Sequence, residues 1–265
     1  MLSCAVVFFE CRSTVLKKLG GIITEMAVIE VATFPEFHEI VTQYGLQMIF
    51  RGVSRMSYTL VPKAGRERYA ETMTVAEEQR LLQAFQNDAM PFLNSVPQSQ
   101  WEWWAIAQHH GLPTRFLDWT QNPLVAAYFA VEDCNGIEDC VVYACDNTQF
   151  NSIIDLSDNP DPLGIEEIFL YNPPHITQRI TAQRGLFTVH NNPSTPLAET
   201  SFPEETIVAS NGTMAYYAVD TIVIKKEFKK EFKRILSLYG WNQATIYPGL
   251  DGITSHLDWL MTEAR

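Results

Sequence analysis

The sequence predicts an α+β domain, and three observations carry that reading. Segments with helical periodicity and segments with strand character interleave, but without the regular strand–helix–strand spacing of a parallel α/β sheet. The chain has 265 residues, of which 46% are apolar and 19% charged, which suits one large domain or two small ones with a sizeable core. No internal repeat, low-complexity segment or glycine-rich phosphate loop interrupts it.

Taken in order, residues 1–25 read as an N-terminal extension, with Met26 a second plausible start and 26–265 the domain. Leu2 to Phe9 is apolar but too short to span a bilayer. No positive charge precedes it, so it also has the wrong order for a secretion signal. Thr33 is the candidate N-cap of a helix running from Pro35 to Val41. Leu46 to Gly52 reads as a strand ending in a turn. Thr74 to Met90 is a helix: Thr74 and Glu77 form a capping box, and Leu81, Leu82 and Phe85 share a face.

Beyond Pro97, Trp101 to His110 makes a helix closed by Gly111. Phe116-Leu117 is strand-like, and Pro123 opens a helix to Val131 with Asn122 or Thr120 as its cap. Cys140 to Cys145 is a strand, and Asp155 to Pro162 a loop. Ile180-Thr181-Ala182 and Leu186 to His190 are strand-like, separated by Gly185, and Asn191 to Glu205 is a long polar loop. A strand Thr221–Ile224, a helix from Lys225 to Leu238 and a closing segment complete the chain.

The formal charge of −12 argues against a grip on duplex nucleic acid, which needs clustered Lys and Arg. The one basic run, Lys225 to Arg234, is broken by Glu227 and Glu231. Its Phe228, Phe232 and Ile235 recur at helical spacing, the pattern of a solvated amphipathic helix. Cys4, Cys11, Cys134, Cys140 and Cys145 are odd in number and lack a C-x-x-C spacing. A disulfide framework or zinc knuckle is therefore not expected, and a reducing cytoplasm fits.

Chemistry concentrates in three islands. Arg51 ends a strand and precedes Gly52, so its planar donor fork can enter a cleft and meet a phosphate or carboxylate, or pair with a structural acid. Phe116-Leu117-Asp118-Trp119-Thr120 runs into the Asn122-Pro123 helix start, whose backbone N–H groups suit an anion. Arg179 to Phe187 is another polar junction built around Gly185.

His109 and His110 are adjacent and diverge on a helix, so they do not form a metal site, and no metal is expected. His109 is open to two readings, a general base or a hydrogen-bonded helix end. Arg115 is either a buried partner of Asp118 or a ligand-binding group. Trp101, Trp103 and Trp104 read as core. No G-x-S-x-G elbow supports serine hydrolase chemistry.

Phe50-Arg51-Gly52, Gln108-His109-His110-Gly111-Leu112-Pro113-Thr114-Arg115, Leu117-Asp118-Trp119-Thr120, Asn122-Pro123-Leu124 and Ala126-Ala127-Tyr128-Phe129-Ala130 together resemble the FRG domain family. Arg179, Gln183, Gly185, Phe187 and Tyr247 to Gly252 extend that resemblance over roughly residues 30–260. A second resemblance is to ADP-ribosyltransferases. There Phe50-Arg51-Gly52 looks like the first strand motif, Phe116 to Ala130 like the second strand and helix, and Arg184-Gly185-Leu186-Phe187 like the later hairpin.

That resemblance implies a split mixed or antiparallel sheet flanked by helices, and NAD as substrate of a transferase or glycohydrolase. It also implies an effector role in conflict between bacteria and phage. Arg51, Asp118 and Gln183 would be catalytic. Arg51, Gly52, His109, Arg115, Trp119, Thr120, Tyr128 and Phe129 would line the nucleotide pocket, with Trp119 stacking the nicotinamide. The sequence departs from the pattern ahead of Arg184, where Gln183 stands and no Glu precedes it. Glu102 or Asp118 then supplies the acid, or the domain is a non-catalytic module that binds a nucleotide or a protein partner. No membrane partner is expected.

Overall fold

The computed structural model describes residues 12–19, 22–93, 95–152, 161–174, 178–197 and 217–263. Most of the loop expected at Asp155–Pro162, much of that at Asn191–Glu205, and Cys4 and Cys11 lie outside the described residues.

The strands are β1 Arg12–Leu19, β2 Ile22–Val31, β3 Met48–Val53, β4 Phe116–Thr120, β5 Cys140–Asp146, β6 Asn151–Ser152, β7 Phe169–Tyr171, β8 Gly185–Val189 and β9 Val219–Ile224. They form one mixed sheet in the order β1-β2-β9-β5-β3-β4-β8-β7-β6. The β2–β9 and β6–β7 pairs are parallel and the others antiparallel. The helices are α1 Phe34–Thr42, α2 Glu67–Ala70, α3 Val75–Ala89, α4 Gln100–His109, α5 Pro123–Val131, α6 Gln178–Gln183, α7 Lys229–Leu238, α8 Gln243–Ile246 and α9 Leu250–Thr262. The α+β class is as expected. The boundary expected at Met26 falls inside β2.

The expected split is replaced by a narrow joint. β3 and β5 share six register pairs from Met48↔Asp146 to Val53↔Val141, and β4 and β8 share five. Between β3 and β4 the register holds only Phe50↔Thr120. The sheet is continuous, yet it is held at this point by a single backbone pair.

Alternation along the strands sorts side chains to the two faces. Phe50, Val142, Ala144, Ile222 and Ile224 pack with α1, α5, α7 and α8. Further along the same face, Phe116, Phe187 and Val189 pack with Trp101, Trp104 and Ala105 of α4. Trp101 and Trp104 are core residues, as read from the sequence. The opposite face collects Ile49, Leu117, Trp119, Leu186 and Val219 with Leu60, Phe150, Ile168 and Leu197. Helices α4 and α5 therefore cover different halves of one face, and the β3–β4 joint lies between them.

Local chemistry sets the helix starts. Thr33 caps α1 with a full capping box to Glu36, Thr74 accepts from the Glu77 N–H, and Asn122 accepts from the Leu124 N–H. One segment departs from expectation. Ile180-Thr181-Ala182, read as strand-like for its β-branched residues, lies in the short helix α6. The left-handed turn at Arg184 (φ 46°) then reverses the chain into β8.

The buried polar core also departs. Arg115, 2% exposed, pairs with Glu78 and not with Asp118: Nη2 donates to Oε1 at 2.8 Å and Nε to Oε2 at 3.2 Å. This bidentate pair ties β4's approach to α3 beneath the surface. Arg115→Ala is expected to destabilise the fold by about 3–5 kcal/mol, because Glu78 is left as an unpaired buried charge. The Arg115→Met/Glu78→Leu double variant should lose clearly less; urea unfolding of the three proteins checks this. Gly52 imposes a second constraint, since a Cβ there would stand 1.8 Å from the Ala126 carbonyl oxygen of α5. Gly52→Ala should push α5 off the sheet and lower stability by roughly 3 kcal/mol, read as a shift in the same urea midpoint.

Candidate functional site

The joint between β3 and β4 opens into a cavity of about 240 Å³ between the C-terminal end of α4 and α5. Gln108 and His109 come from α4, Phe129 from α5 and Gln183 from the end of α6. Phe50, Arg51 and Gly52 line it from β3, Asp118, Trp119 and Thr120 from β4, and Gly185, Leu186 and Phe187 from β8.

Arg51 is the central group. Its side chain is 15% exposed, and Nη1 donates to the Asp118 carbonyl oxygen at 2.6 Å. The same nitrogen lies 3.5 Å from Asp118 Oδ2. With the β3–β4 ladder reduced to one pair, the guanidinium adds a side-chain bond from β3 to a carbonyl of β4. Burial pushes the Arg51 pKa below its ordinary value, and Asp118 opposes that shift. Arg51 Nε has no hydrogen-bond partner among the described residues.

Asp118 is the carboxylate that faces the cavity. Its side chain is 49% exposed, and Oδ2 accepts from Gln108 Nε2 at 2.8 Å. Gln108 is itself oriented from behind, since its Oε1 accepts from the buried Thr114 hydroxyl at 2.6 Å. Both polar contacts of the carboxylate, to Gln108 and to Arg51, fall on Oδ2. Oδ1 takes part in neither.

Three other polar groups at the cavity are committed to the fold. Thr120 Oγ1 donates to the Gln183 carbonyl at 2.6 Å and accepts from the Asn122 N–H at 3.0 Å. Gln183 Nε2 donates to the Ile246 carbonyl at 3.0 Å, which docks α6 on α8. The Trp119 indole N–H donates to Thr188 Oγ1 at 3.0 Å, and the ring packs in the cluster on the opposite face of the sheet. Trp119 therefore does not present a stacking face. Phe129, half-buried and edge-on to Tyr247 at 6.2 Å, is the ring of α5 that faces the cavity.

Two of the residues expected at the pocket lie elsewhere. Arg115 is sequestered with Glu78. Tyr128 is buried, with its hydroxyl donating to Gln243 Oε1 at 2.7 Å. Adjacent helical positions diverge by about 100°, so Phe129 and Tyr128 could not both face one cavity. Conversely, Gln108, Phe50 and Phe187 line the site without having been assigned to it. Gln108 had a signal, because it is the last but one residue of α4 and stands ten residues before the carboxylate it binds. Glu102, the other acid considered, caps the start of α4 through the Gln98 N–H and is not among the cavity residues. Among the described residues no group of three or more His, Cys, Asp or Glu is placed to hold a metal ion, and no helix is long and apolar enough to cross a membrane.

Beneath the cavity lies a buried polar relay. Thr188 Oγ1, which accepts from Trp119, is 3.0 Å from His190 Nε2. His190 is fully buried, and its Nδ1 has no partner among the described residues. Burial, with Arg115 and Arg51 nearby, pushes its pKa down to about 3.

Residues 46–138 match the family model of the FRG domain. The match bears out the family resemblance read from the sequence over about a third of the chain, from β3 to just beyond α5. It takes in Arg51, Gln108, His109, Asp118 and Phe129, and leaves out the α6–β8 edge of the cavity. No curated protein and no solved structure matches the chain.

The neutral His190 has a consequence for stability. Its folded pKa of about 3 lies below the ordinary value of 6.5, so the unfolded chain binds the proton first as pH falls. Stability from this group is intact above pH 6.5 and declines toward pH 3, with a slope of up to about 1.4 kcal/mol per pH unit. Urea unfolding at pH 7, 6 and 5 is expected to show this decline, and His190→Gln should flatten it. An unchanged slope in the variant would place the acid sensitivity elsewhere.

Proposed function

We propose that the cavity at the β3–β4 joint binds a nucleotide and that the protein uses NAD as a substrate, as an ADP-ribosyltransferase or NAD glycohydrolase. The observation that carries this reading is the Asp118 carboxylate: half exposed at the cavity, and oriented through one oxygen by Gln108 and Arg51. Such a carboxylate suits a ribose diol, which offers two hydroxyl donors. It also suits the positive charge that develops when the bond between ribose C1′ and the nicotinamide nitrogen breaks. The leaving nicotinamide takes the bonding electron pair, and a fixed anion beside the ribose stabilises the oxocarbenium-like transition state more than the ground state.

Arg51 enters this scheme in a different role from the one first expected. Its donors at Nη1 are directed to Asp118, so it acts as a positioning residue for the carboxylate and for β4. Phe129, half-buried at the cavity, supplies aromatic surface for a planar base. His109 lines the same cavity at the helix end. Gln183, which stands where the ADP-ribosyltransferase pattern calls for Glu, holds α8 with its amide, and the acid role falls to Asp118. Consumption of NAD would suit an effector in conflict between bacteria and phage, and that role is part of the same proposal.

A second reading rests on the same Gln183: with its amide committed to Ile246 and no Glu beside it, the cavity would serve as a nucleotide- or protein-binding module without turnover.

Incubation of the pure protein with NAD, with nicotinamide release followed over time, separates the two. The enzyme reading expects turnover that falls at least about 100-fold in Asp118→Asn, with NAD affinity changed only a few-fold. Arg51→Ala should lose both turnover and stability, whereas Arg51→Lys should retain part of each. NAD binding without nicotinamide release would establish the module instead. No binding at all would overturn the nucleotide reading.

A further inference from the structure

The C-terminal helix α9 presents its apolar residues outward. Its inward side packs on α8 and α7: Gly252 is buried beneath the Tyr247 carbonyl, His256 and Trp259 are half-buried and stacked on each other at 5.9 Å, and Lys233 lies over the Trp259 ring. Glu263 anchors the far end to Cys134 and Asn135. On the other side Leu250 is 81% exposed, Ile253 46%, Leu257 55%, Leu260 42% and Met261 66%. Leu250, Ile253, Leu257 and Leu260 are spaced three, four and three residues apart, the seam by which helices pack knobs into holes.

We infer that α9 is a homodimer interface, in which the seams of two copies of this chain pair antiparallel across a two-fold axis. The spacing points to a second copy because three-four-three reads the same in both directions. An antiparallel pair sets Leu250 of one copy level with Leu260 of the other, and Ile253 level with Leu257, so every layer is apolar on apolar. An isologous contact of this kind is the commonest way soluble chains associate.

The area suits a weak, reversible dimer: the five exposed side chains present on the order of 500 Å² per copy, and seam-to-seam pairing covers the larger part of it, at the low end of protein interfaces. Charge agrees. Each copy carries −12, yet the residues flanking the seam are Thr254 and Met261 on one side and His256 and Glu263 on the other. Antiparallel pairing keeps the two Glu263 carboxylates at opposite ends. A parallel pair would set them side by side.

Sedimentation equilibrium of the full chain over roughly 1–100 µM tests the inference, with the expected result a reversible dimer. Because the bodies repel through their net charge, the dimer should tighten as salt is raised from about 0.05 to 0.5 M. The double variant Ile253→Glu/Leu257→Glu should weaken association by roughly 100-fold or more, with far-UV circular dichroism unchanged because both positions are exposed. Independently, a mixture of Ile253→Cys and Leu257→Cys proteins should form a disulfide-linked dimer under mild oxidation, and Ile253→Cys alone should not. A monomer throughout the concentration range overturns the inference, as does a dimer whose affinity the double Glu variant leaves intact. Cross-linking of Ile253→Cys to itself in preference to the mixture overturns the antiparallel arrangement.

Discussion

Arg51 Nη1 meets the Asp118 carbonyl at the point where backbone pairing between β3 and β4 has run out, and the rest of the architecture follows from how that gap is closed. On one side stand β1, β2, β9, β5 and β3, and on the other β4, β8, β7 and β6. One side-chain donor replaces the missing ladder, and a hydrogen bond from a charged donor is worth about 1.5–3 kcal/mol, more than a neutral one. A regular ladder would have drawn β4 flat against β3 and left no space between α4 and α5. The side-chain bridge holds the strands together and leaves the cavity open.

The Phe50-Arg51-Gly52 triplet makes this possible because strand alternation gives its three residues separate tasks. Phe50 faces α5 and packs in the cluster with Val125 and Ala126. Gly52 faces the same helix and has no side chain to hold it off; the Ala126 carbonyl occupies the space a Cβ would need. Arg51 falls on the other side of the strand, opposite Tyr143 in the register with β5, and returns through the joint to Asp118. Interchanging any two of them would put bulk where α5 sits or remove the side-chain donor to the Asp118 carbonyl.

What could be read from the sequence divides along the range of the interactions. N-caps such as Thr33, Thr74 and Asn122 act on N–H groups two or three residues away, so a linear reading finds them. The core tryptophans of α4 are legible for the same reason, as helical spacing is local. The polar partnerships are not. Arg115 stands three residues from Asp118 and pairs with Glu78, 37 positions away; Asp118 is bridged by Arg51, 67 positions away. Only the tertiary fold decides between such partners. Helix α5 is apolar nearly all round, so nothing in its pattern tells whether Tyr128 or Phe129 turns to the cavity. Ile180-Thr181-Ala182 has strand-forming residues, yet the docking of Gln183 on α8 sets it as a turn of helix. Arg51, Asp118 and Gln183, which the family resemblance marks as the reacting groups, nonetheless line one cavity.

The pairing of Arg51 with Asp118 also governs what the cavity can accept. Two opposite charges 3.5 Å apart largely cancel at long range, so the buried guanidinium draws anions less strongly than its charge alone would. A phosphate that sought Nη1 of Arg51 would have to displace it from the Asp118 carbonyl, giving up one charge-assisted contact for another. A ligand that donates hydrogen bonds to Asp118 needs no such exchange. It leaves the joint intact and adds partners to a carboxylate already half open to the cavity. Hydroxyl-bearing or cationic ligands therefore gain where free anions do not, because the interaction that holds the sheet together has already taken the arginine.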